Sequence, residues 1–166
     1  MGALIADTAQ TILLVTPVGR EEETITRLSR VGFDGTIGYL DGGFETWQAA
    51  GKEYDSIASI SAEELKKTTE QNKPLIYDVR KESEFQTEHV VSAENTPLDF
   101  INDHMDHFPS QETFYIQCAG GYRSVIAASI LKSRGIHDLV DIKGGFAAMK
   151  AAGMDVTAYV CPSTLK

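Results

Sequence analysis

Residues 42–51, GGFETWQAAG, return as GGFAAMKAAG at 144–153, with six of ten positions identical. The likeness extends backwards from both copies, and this limits the fold more than any other feature of the chain. TILLVT, EEETITRLSRVG and TIGYLDGGF read as strand, helix and strand, and so do TFYIQC, RSVIAASILKSRG and LVDIKGGF. The strands are short β-branched and aromatic runs; the helices are recognised by length and apolar spacing. Two units of about 40 residues are too few for a solenoid, which needs about three. The repeat therefore predicts a duplicated α/β domain.

The two copies are not equal. Ahead of the second copy, residues 56–112 supply further elements. Ser61 with Glu64 three positions on is a capping box, opening a helix in SISAEELKKTTEQ. Leu75 to Val79 is a short apolar strand, RKESEFQTEH a short polar helix or turn, and Ile101 to Phe108 a further helix closed by Pro109. Strands and helices that alternate in this way give a parallel, doubly wound sheet. The expected organisation is a partial repeat over 1–55, a complete domain over 56–160 and a tail over 161–166, with GKEYDS at 51–56 as linker. Residues 1–50 hold too little apolar surface to fold alone. They are expected to pack on the second unit or on a second copy of the chain, and the chain is expected to be the tail of a longer polypeptide.

Composition narrows the function. The formal net charge is −9 and no run of Lys or Arg stands out, so nucleic acid offers no counterion-release energy. No apolar run reaches the roughly 20 residues needed to cross a bilayer. Met1-Gly2 begins like a myristoylation site, but Ala6 stands where Ser or Thr is wanted. Two cysteines in 166 residues are not a disulfide framework, and a reducing, cytoplasmic setting is expected.

One of those cysteines stands in YIQCAGGYRS, residues 115–124. Cys118 ends a strand expected to be central, and ligands bind at that edge of open α/β sheets. Ala119, Gly120, Gly121 and Tyr122 lead into a helix near Arg123. Such a turn can aim several N–H groups inward, and a helix N-terminus adds its dipole. Arg123 adds a full charge. All three favour thiolate over thiol, enough to move a cysteine from about pKa 8.5 to about 5–7. A small buried hydrophobe is the plain alternative for a strand-end cysteine.

The loop resembles the active loop of rhodanese-type sulfurtransferases. YDVR at 77–80 is similar to that family's Asp-x-Arg strand end, Glu84-Phe85 to its Glu-aromatic pair, SAENTP at 92–97 to its Gly-Ala-x-x-x-Pro, and IKGGF to its closing turn. Glu88 and Ser92 depart from the family's glycines, and Met149 from its usual Trp, which Trp47 keeps in the first copy. The resemblance implies that Cys118 takes sulfane sulfur from thiosulfate or a low-molecular-weight persulfide and passes it to a thiol acceptor, without cofactor or metal. It implies that Arg123 and the amides of Ala119, Gly120, Gly121 and Tyr122 hold the anionic persulfide. Arg80 would lie at the pocket rim, with Asp78 and Glu84 orienting arginines. Ser124 either touches the sulfur anion or simply opens the helix, the second being preferred.

Thr16 replaces the nucleophile in the first copy, which should be inactive. The tandem of a degenerate and an intact repeat is similar to the C-terminal part of fusions with a metallo-β-lactamase-type hydrolase or persulfide dioxygenase. That hydrolase's zinc motif is absent here, and His104 and His107 are too few for a zinc site. Two rivals stand beside the transferase. A related phosphatase or arsenate reductase would need five residues between Cys and Arg, whereas four lie between Cys118 and Arg123. A non-catalytic binding module fits the first copy better than the second.

Overall fold

A computed structural model describes residues 5, 7–161 and 163, without the side chain of Gln71. The Met1-Gly2 start and, apart from Cys161 and Ser163, the tail lie outside the described residues. The chain divides into two compact units between Ser56 and Ile57.

The first unit runs β1 (Ile12–Leu14), α1 (Glu21–Ser29), β2 (Thr36–Tyr39) and α2 (Gly43–Ala49). β1 and β2 pair in parallel as a two-stranded sheet. Ile12 and Leu14 point to one face and close a small core with Leu28 and Phe33. Leu13, on the opposite face by the two-residue period, is 72% exposed.

The second unit opens with β3 (Ala58–Ile60) and α3 (Ala62–Gln71), then β4 (Leu75–Asp78) and α4 (Glu82–Thr87), then β5 (Ala93–Asn95). A 3₁₀ segment (Leu98–His107) leads to β6 (Phe114–Gln117), α5 (Tyr122–Ser133), β7 (Leu139–Ile142) and α6 (Gly145–Ala151). The five strands lie in the order β3-β7-β6-β4-β5, all parallel. Both faces are covered, as a parallel sheet requires. Phe114 and Ile116 pack under α5 and the 3₁₀ segment with Leu131 and Leu139, while Ile76 and Ile142 pack with Leu65 of α3 and Met149 of α6. The expected α/β architecture is thus present, with the partial sheet of the first unit ahead of it.

The capping box forms as the sequence predicts. The Ser61 hydroxyl accepts from the Glu64 N–H at 3.2 Å, and Glu64 accepts from the Ser61 N–H at 2.8 Å. The helix expected over Ile101–Phe108 is instead the 3₁₀ run from Leu98, non-helical at Phe100 and His104. Asn102, Asp103 and Asp106 lie within it, and such side chains compete with helical backbone bonds.

The repeat is visible in three dimensions. β1-α1-β2-α2 follows the same order as β6-α5-β7-α6. Met149 is fully buried against α3, whereas Trp47, its counterpart, is 40% exposed. Among the described residues the first unit has no helix equivalent to α3 to cover it.

Candidate active site

β4 and β6 are neighbours whose connections leave in opposite directions, β4 towards β5 and β6 towards β7. Such a switch point leaves a crevice beyond the carboxyl ends of the strands. Cys118 is the first residue past β6 and is buried with the α5-side core. Ala119 and Gly120 are exposed, Gly121 turns the chain at φ +97°, and the 12-residue helix α5 begins at Tyr122. The turn brings the Gly121 N–H to 3.2 Å from the Cys118 Sγ. Burial raises the thiol pKa, but the nearby Ser124 hydroxyl and N–H and the Gly120 and Gly121 amides outweigh it. The thiol is held below its ordinary range, as at other helix N-termini.

A second turn braces the loop from behind. The Phe146 N–H donates to the Cys118 carbonyl at 2.7 Å and the Ala147 N–H to the Ala119 carbonyl at 3.3 Å. Tying these carbonyls to the start of α6 leaves the neighbouring amides free to face the sulfur. Gly145 approaches so closely that a Cβ there would run into the Cys118 carbonyl, and its φ is +55°. Gly43, its counterpart, lies in the same way against the Thr16 carbonyl, so the first unit keeps the turn without the nucleophile. Gly145→Ala is expected to cost at least about 1–2 kcal/mol for the left-handed backbone alone, and to slow alkylation of Cys118 as the loop shifts. A melting temperature and an iodoacetamide rate that both match the wild type would show that this turn does not brace the loop.

The arginines are held by carboxylates. Arg123 donates to Glu84 through Nη1 at 2.6 Å and Nη2 at 2.9 Å, joining the start of α5 to the first turn of α4. The guanidinium holds the Glu84 carboxyl below the usual carboxylate range, against the effect of burial. Glu84 in turn matches the Arg123 charge, which also feels the Cys118 sulfur. Arg123 therefore faces the loop as half of an ion pair with Glu84.

Arg80 corrects the sequence reading. It is not at a rim but 5% exposed, with Nε and Nη2 on Asp78 at 2.6–3.0 Å. Its Nη2 also donates to the Glu88 carbonyl at 2.9 Å, and the guanidinium lies over the Phe146 ring, 4.1 Å from its centre. Side chains at i and i+2 leave a strand on one face, so Asp78 and Arg80 close on each other. Asn95 locks this corner by donating to the Asp78 and Arg80 carbonyls at 2.8 and 3.0 Å.

Gly121 caps α5, and Ser124 sits at the third helical position, fully buried. Its hydroxyl is near enough to Cys118 and to Asp141 to favour the anion of each, yet forms a fully aligned hydrogen bond with neither. Sequence reasoning missed Asp141 altogether. Its signal is an acid inside the apolar strand LVDI. Tyr122, expected in the cradle, is 79% exposed at the mouth. Among the described residues no group of three or more His, Cys, Asp and Glu side chains is placed to hold a metal ion. Among them, too, no helix is long and apolar enough to cross a membrane.

Comparison with known proteins gives the same picture of this unit. The profile of the rhodanese-like domain matches residues 61–152, more than half of the chain. The chain is 29% identical to the putative sulfur carrier protein YrkF of Bacillus subtilis, over 54% of this chain and 49% of that protein. It is also 29% identical to thiosulfate sulfurtransferase 16, chloroplastic, of Arabidopsis thaliana, over 49% of this chain and 78% of that one. Among solved structures, the rhodanese-like domain protein from Staphylococcus aureus is 35% identical, covers 61% of this chain and 100% of its own, and superposes with a TM-score of 0.55. The chain spans about half the length of several curated relatives it matches, YrkF among them. With the profile spanning α3 to α6 and the cysteine loop at the carboxyl edge of the sheet, the chain belongs to the rhodanese-like domain family.

Proposed function

We propose that the second unit is a sulfurtransferase that carries sulfane sulfur on Cys118. One observation carries the reading: a Cys118 sulfur that accepts from the Gly121 N–H, with its thiol held below the ordinary range, in a loop whose outer side is open. The Cys118 thiolate attacks the outer sulfur of thiosulfate or of a small persulfide. The donor's S–S bond breaks, sulfite or a thiolate leaves with the electron pair, and a Cys118 persulfide anion remains. An acceptor thiolate then attacks the outer sulfur, the enzyme's S–S bond breaks, and Cys118 returns to thiolate. The Gly120 and Gly121 amides and the Arg123–Glu84 pair surround the place where the extra charge develops. Cys118 is a free thiol, which suits a reducing compartment. Relatives whose names state sulfur transfer support the reaction class.

This reading takes the first unit, with Thr16 at the nucleophile's place, as structural. It also places the chain in a fusion with a metallo-β-lactamase-type hydrolase, a step supported only by the tandem of degenerate and intact repeats. A two-step covalent route predicts ping-pong kinetics, with parallel double-reciprocal lines when thiosulfate is varied at several acceptor concentrations. Lines that intersect would contradict a free Cys118 persulfide.

A further inference from the structure

Three cations that could serve an anionic donor are Arg123 at the start of α5, Arg80 just past β4 and Lys150 in α6. Each is matched by an acid. Glu84 takes Arg123 through both terminal nitrogens, at 2.6 and 2.9 Å. Asp78 takes Arg80, and that pair is buried. Glu88 takes Lys150 at 2.6 and 2.8 Å. Two further lysines are turned to other acids. Lys143, exposed just past β7, acts on the Glu64 carboxylate at the start of α3, and Lys81 lines a cleft with Glu82 and Asp99.

The Arg123 pair matters most, because it faces the loop. A guanidinium grips an oxyanion best by presenting two N–H groups to two oxygens. That end of Arg123 is closed by Glu84. The Glu84 carboxyl is held below its ordinary range, so it stays charged at neutral pH. What remains for a donor is the set of loop amides, with the Gly121 N–H on the sulfur. Amide dipoles can hold one anionic sulfur, but they supply no net charge.

Donors differ in the charge they bring. When the Cys118 thiolate attacks thiosulfate, three negative charges meet at the loop, one on the thiolate and two on the donor. With a neutral hydropersulfide, RSSH, only the thiolate is charged. Cys118 takes the outer sulfur and the donor's S–S bond breaks. Its electron pair leaves on RS⁻, which picks up the hydropersulfide proton, and the single charge ends on the Cys118 persulfide. We propose that Glu84 is a specificity-determining residue: by matching Arg123 it tunes the Cys118 site to alkyl persulfides and against sulfonate-bearing dianions such as thiosulfate.

The inference rests on the sulfurtransferase reading for its donors, but the first part of its test needs no sulfur transfer. In the full chain, with Cys161→Ser removing the second thiol, Cys118 is alkylated by iodoacetate, an anion, and by iodoacetamide, its neutral counterpart. At one pH their rate ratio cancels the thiolate fraction and reports charge. Glu84→Gln should raise iodoacetate relative to iodoacetamide about tenfold, the order expected of one unmatched charge close by in a partly solvated site. Added salt should shrink the gain. Glu84→Asp keeps the charge and should behave as wild type. Single-turnover loading, read by intact mass, should follow the same order. Wild type loads faster from mercaptoethanol persulfide than from thiosulfate, and Glu84→Gln narrows the gap about tenfold. Should Glu84→Gln fail to fold, wild type alone decides: a ratio that stays level or rises with salt supports the matched pair, and one that falls with salt reveals an unmatched cation and overturns the proposal. Equal alkylation ratios for wild type and Glu84→Gln overturn it as well. Failure of both donors to load Cys118 overturns the sulfur-transfer reading itself, whereas an unchanged gap between two donors that do load overturns the role of Glu84 alone.

Discussion

Asp78→Ala is expected to destabilise the second unit by about 3–5 kcal/mol, the usual cost of leaving half of a buried ion pair behind. Asp78 is fully buried and accepts from the Arg80 N–H at 2.9 Å as well as from Nε and Nη2. Without it, the Arg80 guanidinium keeps the Glu88 carbonyl, the face of Phe146 and the attraction of the Glu84 carboxylate, which Arg123 already engages. None of these replaces a hydrogen-bonded counter-charge. A domain is stable by about 5–15 kcal/mol in total, so the variant should be close to unfolded at physiological temperature. Removing both charges is different. A double variant, Asp78→Leu with Arg80→Met, should recover most of the loss, because apolar replacements of a buried pair are often neutral or better. Urea unfolding followed by far-UV circular dichroism measures both. Fluorescence would not serve, since the single tryptophan, Trp47, lies in the first unit. A single-variant cost below about 1 kcal/mol would mean that Arg80 escapes to solvent, as exposed pairs do.

The same pair shows where sequence reading stops. Asp78 and Arg80 were legible as a strand-end motif. What the spacing did not carry was depth. Arg80 is buried because the carbonyl of Glu88 and the ring of Phe146, 66 residues further along, close over it. The Arg123–Glu84 pair spans 39 residues of sequence, so no local pattern names it, and only the family resemblance pointed to Glu84 as a partner for an arginine. Local chemistry was read well where it decides structure on its own. Ser61 and Glu64 cap α3, and both Gly-Gly turns open short helices. It was read less well where weak helix formers let the 3₁₀ segment replace an α-helix. Ser124 was read as a helix-start residue, and it stands in the first turn of α5, fully buried. The helix start was visible, whereas the approach of Asp141 from β7 is a tertiary fact.

Cys118→Ser is expected to reduce sulfur transfer to the uncatalysed level while leaving the fold intact. The change replaces one atom in a site whose backbone is fixed by Phe146 and Gly145. The difference is chemical. The loop amides and Ser124 hold the Cys118 thiol below its ordinary range, whereas a serine hydroxyl starts far higher and is a poor nucleophile without an adjacent base. A serine there also cannot form the S–S bond that stores the transferred atom. Removing a nucleophile commonly leaves only the small acceleration due to binding. Cys161, exposed and near the end of the chain, serves as the internal control, and Cys161→Ser should transfer sulfur at the wild-type rate.

The intact mass of the protein after incubation with thiosulfate or glutathione persulfide is the most direct measurement of this account. Wild type should gain the mass of about one sulfur atom, on a peptide containing Cys118, and lose it on addition of cyanide or an acceptor thiol, as a covalent intermediate must. Cys118→Ser should gain nothing. Sulfur that loads equally well onto Cys118→Ser, or wild-type protein that turns over donor while its mass never changes, would contradict it.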